Sequence, residues 1–383
     1  MPIQRLEGKE TLISTSEEDK GKWLEFEGKK YYVVKNNTDF KFSLKKWVAS
    51  SLITTYVSNM RNMCYYTDFN AYINHWDVSK VTDMSYMFYR CSSFNQPLDQ
   101  WDVSKVKNMC GMFQGCSSFN QSLNSWNVSR VETTQTMFYG CLSFNERLEQ
   151  WDVSNIEYMY CMFKNCSSFN QPLEKWNVSN VKTMYEMFDG CTSFNQPLEQ
   201  WNVSNVITMY ETFKDCSSFN QPLKQWNVSR VTSMYGMFQG CSSFNQPLNG
   251  WDVSKVTDMS YMFYRCSSFN QPLNSWNISK VWMMKYVFDG CHSYQQSLSY
   301  PFIQKYIAYN KYLYFSTPEI DDKQSPLSLE QVYRLQPHMK EISGKINSII
   351  KEYHYRRFID VIVCEKMYGM CSDLNTSILS YCV

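Results

Sequence analysis

Thiols and phenols dominate the chemically capable side chains, with 15 Cys and 28 Tyr against only four His. Nine cysteines recur at one interval of 25 residues: Cys91, Cys116, Cys141, Cys166, Cys191, Cys216, Cys241, Cys266 and Cys291. Such a ladder could form disulfides, ligate metal or simply pack. Side chains in successive copies aim their Cβ vectors alike, which disfavours bridging between neighbours. No CxxC occurs, and the Cys110–Cys116 and Cys161–Cys166 pairs have neither zinc spacing nor a nearby His. The expected state is a row of buried thiols in a reducing compartment. Walker, GxGxxG, HExxH and GxSxG signatures are missing. The histidines (His75, His292, His338 and His354) do not repeat with the ladder. No catalytic, cofactor-binding or metal-binding residue is expected, so the chain reads as a non-enzyme needing no cofactor. A catalytic module around His338, His354 and Cys364 is the weakest alternative.

Two polar rows keep the same step. Asn95, Asn120, Asn145, Asn170, Asn195, Asn220, Asn245 and Asn270 suggest inward amides that satisfy neighbouring backbone. Asn127, Asn177, Asn202, Asn227 and Asn277 open Asn-x-Ser sequons. Asp77, Asp102, Asp152 and Asp252 fill that same phase, which favours an Asx-turn role over glycosylation. A variable row contains Tyr160, Tyr185, Tyr210 and Tyr235. These four are the candidate partner-binding stripe, since Tyr joins an apolar ring to a polar tip. Self-packing of the four rings as scaffold is the competing reading.

The elements that position these rows follow from the tryptophans. Trp76, Trp101, Trp126, Trp151, Trp176, Trp201, Trp226, Trp251 and Trp276 share the 25-residue step and, with the cysteines, form a structural ladder. The unit WDVSKVTDMSYMFYRCSSFNQPLDQ repeats nine times over residues 76–300. An insertion-free period of this length predicts a solenoid. Met84, Met87, Phe88 and Cys91 stand at i, i+3, i+4 and i+7, which predicts a short helix over about 83–91. Trp101 and Val103 alternate with polar neighbours, which predicts a short strand. Pro97, Pro172, Pro197, Pro222, Pro247 and Pro272 place a bend in the Asn-Gln-Pro-Leu segment. The expected fold class is an α/β repeat solenoid of nine coils, each with a short strand and a short helix.

The phrase MFxGCSSFNQPLxxWxVSxVxxM resembles the 25-residue repeat of the BspA-like leucine-rich-repeat surface proteins of bacteria, protists and large DNA viruses. The resemblance covers residues 76–300, and the lead-in FNAYINHWDVSKVTDM also resembles the opening of such arrays. It implies a leucine-rich-repeat-like fold, surface or interaction roles, and no catalytic residues. The leading expectation is a protein-interaction scaffold with an unidentified protein partner; the alternative is a surface adhesin or virion-surface protein.

Around the array, residues 1–40 are polar, with a hairpin expected from Trp23 to Val34 about Gly28. Residues 41–75 are expected to cap the array, with a helix over 43–60 and a degenerate half-coil at Phe69, Asn70 and Ile73. Residues 301–383 are expected to form a helical cap or a separate module, beginning with a linker at 317–328. Lys+Arg 37 nearly cancels Asp+Glu 36, which argues against a nucleic-acid partner. No run of 18 apolar residues predicts a membrane-spanning helix. The first residues lack the apolar core of a secretory signal, so a cytoplasmic or virion-associated location is expected.

Overall fold

The computed structural model describes residues 2–306 apart from 47, 66, 67, 300, 303 and 304. The linker and helices expected beyond residue 306 lie outside the described residues. The protein is a repeat solenoid. Its core is the repeated apolar set: Met84, Met87, Phe88, Cys91, Phe94 and Leu98 are fully buried, and so are their counterparts in the central coils. Aromatic rings run through it as parallel files. Trp151, Trp176 and Trp201 stack at centroid spacings of 6.4 Å with planes within 2°. Phe163 and Phe188 stack at 5.7 Å, and Phe169 and Phe194 at 5.9 Å.

The short helix expected over 83–91 is not formed. In its place the chain makes successive tight turns, closed by Met87 N–H to Met84 O, Tyr89 N–H to Tyr86 O and Cys91 N–H to Phe88 O. Alternate amides leave the coil. Met84, Tyr86, Phe88 and Arg90 donate to Asn108, Cys110, Met112 and Gln114 of the next coil at 2.7–2.9 Å. An amide donating to the next coil cannot close an i to i−4 bond, so no helix propagates. The i, i+3, i+4, i+7 spacing is common to a helix and to this train of turns, and both bury the same four side chains. Residues 86 and 90 hold left-handed φ values of 54° and 59°. Glycine occupies those phases at Gly111, Gly236, Gly115, Gly140, Gly190, Gly240 and Gly290, all with positive φ.

The strand expected at Trp-x-Val is also absent. The parallel bridges between coils lie one turn away, from Asn59–Asp83 and Asp83–Asn108 through to Asp258–Met283. Trp101 and Val106 use their amides within the coil, bonding Leu98 O and Val103 O. What crosses between coils there is a side chain: the Trp176 indole Nε1–H donates to Leu148 O at 2.9 Å. The asparagine row makes a second side-chain ladder. Asn170 N–H donates to Asn145 Oδ1 at 2.9 Å, beside the prolines that have no amide to give. These asparagines are partly exposed at the edge, rather than inward as expected.

The array starts earlier than Trp76. Asn59 already bridges Asp83, and Cys64 O accepts the Cys91 thiol as Phe88 O accepts that of Cys116. From Asn59 to Cys64 the step to the next coil is 24 residues, and from Phe69 it is 25, so this coil is one residue short between them, which hides it from periodicity. Ahead of it, β1 (Ile3–Arg5) pairs antiparallel with β2 (Leu12–Ser14). β3 (Trp23–Phe26) and β4 (Lys29–Val33) form a hairpin about Glu27 and Gly28, both at positive φ. α1 runs Asn37–Lys46, and the Asn36 side chain accepts the Asp39 amide at its start. The helix expected over 43–60 therefore lies earlier. Its second half holds a 3-10 turn and β5 (Leu52–Ile53), which extends the β4 edge in parallel. The β-branched run Ile53, Thr54, Thr55 favours this extended path. Phe40 packs edge-on against Trp76, whose indole donates to Ala49 O, so these elements cover the first coil. At the far end, Phe302 and Tyr306 are buried against Phe288, and Lys305 Nζ donates to the carbonyls of Ile278, Ser279 and Val281.

Candidate interaction face

The train of turns determines which side chains leave the core. In each coil the residues equivalent to 84, 87, 88 and 91 point inward, so those equivalent to 85, 86, 89 and 90 form the outer face. The amides equivalent to 84, 86, 88 and 90 are spent on the next coil. The face therefore presents side chains and few open backbone groups.

Three of the four expected stripe residues meet on it. Tyr185 and Tyr210 stack at 4.7 Å and 9°, and Tyr210 and Tyr235 at 4.6 Å and 4°. Tyr160 stands apart from this stack and lines a cleft nearer the N-terminal end. The file continues instead through Tyr261, 5.3 Å from Tyr235, and Tyr286, 5.0 Å from Tyr261. Both residues lie one phase later, 26 residues on from Tyr235 and then 25, which strict periodicity conceals. The Tyr185, Tyr210 and Tyr235 rings stack along the array, and the Tyr261 ring tilts by 49° from that of Tyr235. Burial lifts the pKa of the Tyr185 hydroxyl, helped by its hydrogen bond to Glu186, up to about 12. It is a donor at neutral pH.

A charged cluster borders the stack and was not singled out from sequence. Lys164 is paired with Glu186 and, at 2.8 Å, with Asp189; Lys214 pairs with Glu211 at 3.0 Å. Carboxylate oxygens of Glu186, Asp189 and Glu211 lie within 4.8 Å of one another. Each of the three carboxylates is paired with a lysine ammonium, so the cluster reads as a salt-bridge network. Burial works against the Lys164 charge, but its hydrogen bonds to Asp189 and Glu186 outweigh it and raise the pKa. Burial raises the Glu211 carboxyl above its ordinary value. With Asp215, four carboxylates face Lys164, Lys214 and Arg265, so the patch keeps a small acidic excess. Its signal in the sequence is the change of residues 186, 189, 211 and 214 from the Gly, Gln and Tyr of other coils.

The thiol ladder is buried and unbridged from Cys116 to Cys291. Each thiol donates to a carbonyl of the preceding coil, as Cys191 does to Phe163 O at 2.9 Å. The sequon asparagines are exposed and cap turns: Asn177 Oδ1 accepts the Ser179 amide at 3.1 Å, as Asp152 Oδ1 does for Ser154. The indole ladder is 1–4% exposed from Trp76 to Trp276.

The repeats match a family described as "Mycoplasma protein of unknown function, DUF285", over residues 29–150, 121–217 and 195–301. The chain belongs to this family. The matched DUF285 segments run together from β4 to the end of the array, so the early coil at Asn59–Cys64 falls within them. No curated protein matches the chain. Among solved structures, a chain of the "Crystal structure of TLR13-ssRNA13 complex" is 9% identical, with a TM-score of 0.22. The alignment covers 78% of this DUF285 chain and 57% of that one. A likeness that distant implies nothing about the ligand here.

Proposed function

We propose that the protein is a non-catalytic interaction scaffold, and that a protein partner with a basic patch seats on the tyrosine file Tyr185, Tyr210, Tyr235, Tyr261 and Tyr286. The observation that carries this reading is the file itself: five tyrosines from successive coils stand beside an acidic cluster on a face without free backbone edges. Pre-stacked rings lose little side-chain entropy on binding, and acidic groups beside them orient a basic partner. The repeat's other regular polar rows are committed to structure, which supports a binding role over a catalytic one. The resemblance to BspA-like surface repeats supports the same reading.

The test is affinity purification of tagged full-length protein beside a variant with Tyr185, Tyr210 and Tyr235 all changed to Ala. The expected result is a partner retained by the parent and lost by the variant at unchanged secondary structure. Equal recovery by both would remove the tyrosine file from the function.

A further inference from the structure

A second surface, independent of the tyrosine file, lies at the N-terminal end of the array. A cleft of about 1120 Å³ opens between α1, the early coil and the first four full coils. Its floor is the ring of Tyr86. A Cβ added to Gly111 would collide with Cδ1 and Cε1 of that ring, so Tyr86 lies flat on the glycine of the next coil. The ring also lines the cleft. Tyr89 stands across it at 76°, stacked on Tyr65 at 5.0 Å, and makes a wall. The Tyr86 hydroxyl is fixed by the Cys110 thiol at 3.2 Å.

Asn62, Gln114 and Asp68 bring planar amides and a carboxylate to the cleft, suited to pairs of neighbouring hydroxyls. The hydroxyl of Thr136, also on the lining, is buried with no hydrogen-bond partner. Lys41 and Arg61 outweigh Asp68, leaving the lining cationic. The hydrogen bond with Cys110 and burial push the Tyr86 hydroxyl up to about 12 against the opposing charge of Arg61, so the ring stays neutral. The backbone along the floor is already paired: Tyr86 N–H with Cys110 O and Gly111 N–H with Gln135 O. A peptide therefore finds no strand edge to extend. At about 4.8 Å per row, the span from Tyr65 to Tyr160 is roughly 20 Å.

We propose that this cleft binds an acidic oligosaccharide, with one sugar ring lying on Tyr86 and its carboxylate held by Arg61 and Lys41. A flat aromatic floor fits the apolar face of a pyranose. The side amides and the Thr136 hydroxyl fit its hydroxyls, and the two cations fit its acid.

The experiment is titration calorimetry of the full-length protein with a galacturonic acid tetramer and with sialyllactose, beside a neutral galactose tetramer and a tetraglutamate peptide. Tyr86→Gly is the informative variant, because glycine already fills this left-handed phase at Gly111 and Gly236 and the coil is expected to fold. The expected result is binding of at least one acidic sugar, weakened about tenfold or more by Tyr86→Gly. Arg61→Gln should remove the preference for acidic over neutral sugar. Gly111→Val, which lifts the ring from its seat, should weaken binding as Tyr86→Gly does. The proposal is overturned if neither acidic sugar binds, if tetraglutamate binds as well as they do, or if Tyr86→Gly leaves the affinity unchanged.

Discussion

The thiol of Cys166 donates to the carbonyl oxygen of Phe138, 2.9 Å away in the preceding coil. The same bond joins Cys141 to Phe113 and Cys216 to Phe188, so the ladder works as a file of protonated donors. Burial pushes the Cys166 thiol well above its ordinary value of 9.0, with the Cys141 thiol adding to the shift. A folded pKa above the unfolded one means the unfolded chain releases protons first. The stabilisation is whole below about pH 9 and is lost as pH rises toward the folded value. Thermal melts should therefore show a melting temperature that falls steeply above about pH 9. A flat profile through that window would mean the thiols ionise in place without cost. Maleimide labelling of native protein should leave the ladder thiols from Cys116 to Cys291 unmodified until denaturant is added, while the half-buried Cys161, outside the ladder, is not so protected.

Trp176 carries two separable contributions, ring packing and one hydrogen bond. It is 3% exposed, stacks on Trp151 and Trp201, and donates to Leu148 O. Trp176→Ala should cost roughly 3–5 kcal/mol in denaturant unfolding. Trp176→Phe keeps much of the stack but strands a buried carbonyl, and should cost about 1–3 kcal/mol. A cost for Ala below about 1 kcal/mol would mean the coil relaxes around the gap far more than its close packing suggests.

Much of this architecture was legible in residues that repeat through the array, broken only in the last coil where Tyr294 and Gln295 replace Phe and Asn. The Trp, Cys, Phe and Leu phases located the core, and the Asn and Asp phases located side-chain bonds to backbone. The local conformation of the Met-x-x-Met-Phe-x-x-Cys segment was not legible from apolar spacing, because a helix and a train of turns bury the same positions. The glycines at 111, 115, 140, 190, 236, 240 and 290 held that information, since they mark left-handed residues that no helix interior contains. The early coil at Asn59–Cys64 was hidden because it is a single residue short of the regular unit. The interaction face was only half legible: Tyr185, Tyr210 and Tyr235 share a phase, whereas Tyr261 and Tyr286 complete the file from the next one.

His75 makes the N-terminal cover sensitive to acid. Its ring packs near Tyr31 and Tyr72, its Nε2 is buried without a partner, and its carbonyl accepts the Leu12 amide. Burial pulls its pKa down from 6.5 to about 4. The folded chain thus resists protonation that the unfolded chain accepts. Stability is full above about pH 6.5 and falls as pH drops toward about 4, by up to about 3 kcal/mol. His75→Phe should flatten that part of the acid melting curve, with the remaining slope due to carboxylates. Parallel curves for parent and variant would assign the acid sensitivity elsewhere.

Thr136 holds a left-handed φ of 53°, in the phase that Gly111 and Gly236 fill in other coils. A β-branched residue is strained there by about 1–2 kcal/mol, and its hydroxyl is buried without a partner. Thr136→Gly relieves both, against about 0.5–1 kcal/mol of added unfolded-state entropy. The net expectation is a gain of about 1 kcal/mol in unfolding free energy. The opposite exchange, Gly190→Ala, introduces a Cβ at φ 74° against the Asn165 side chain and should destabilise by about 1–2 kcal/mol. Both are read from denaturant melts of the full chain. If Thr136→Gly destabilises while Gly190→Ala is neutral, the turns do not depend on left-handed residues, and the inter-coil ladder must be bonded in some other way.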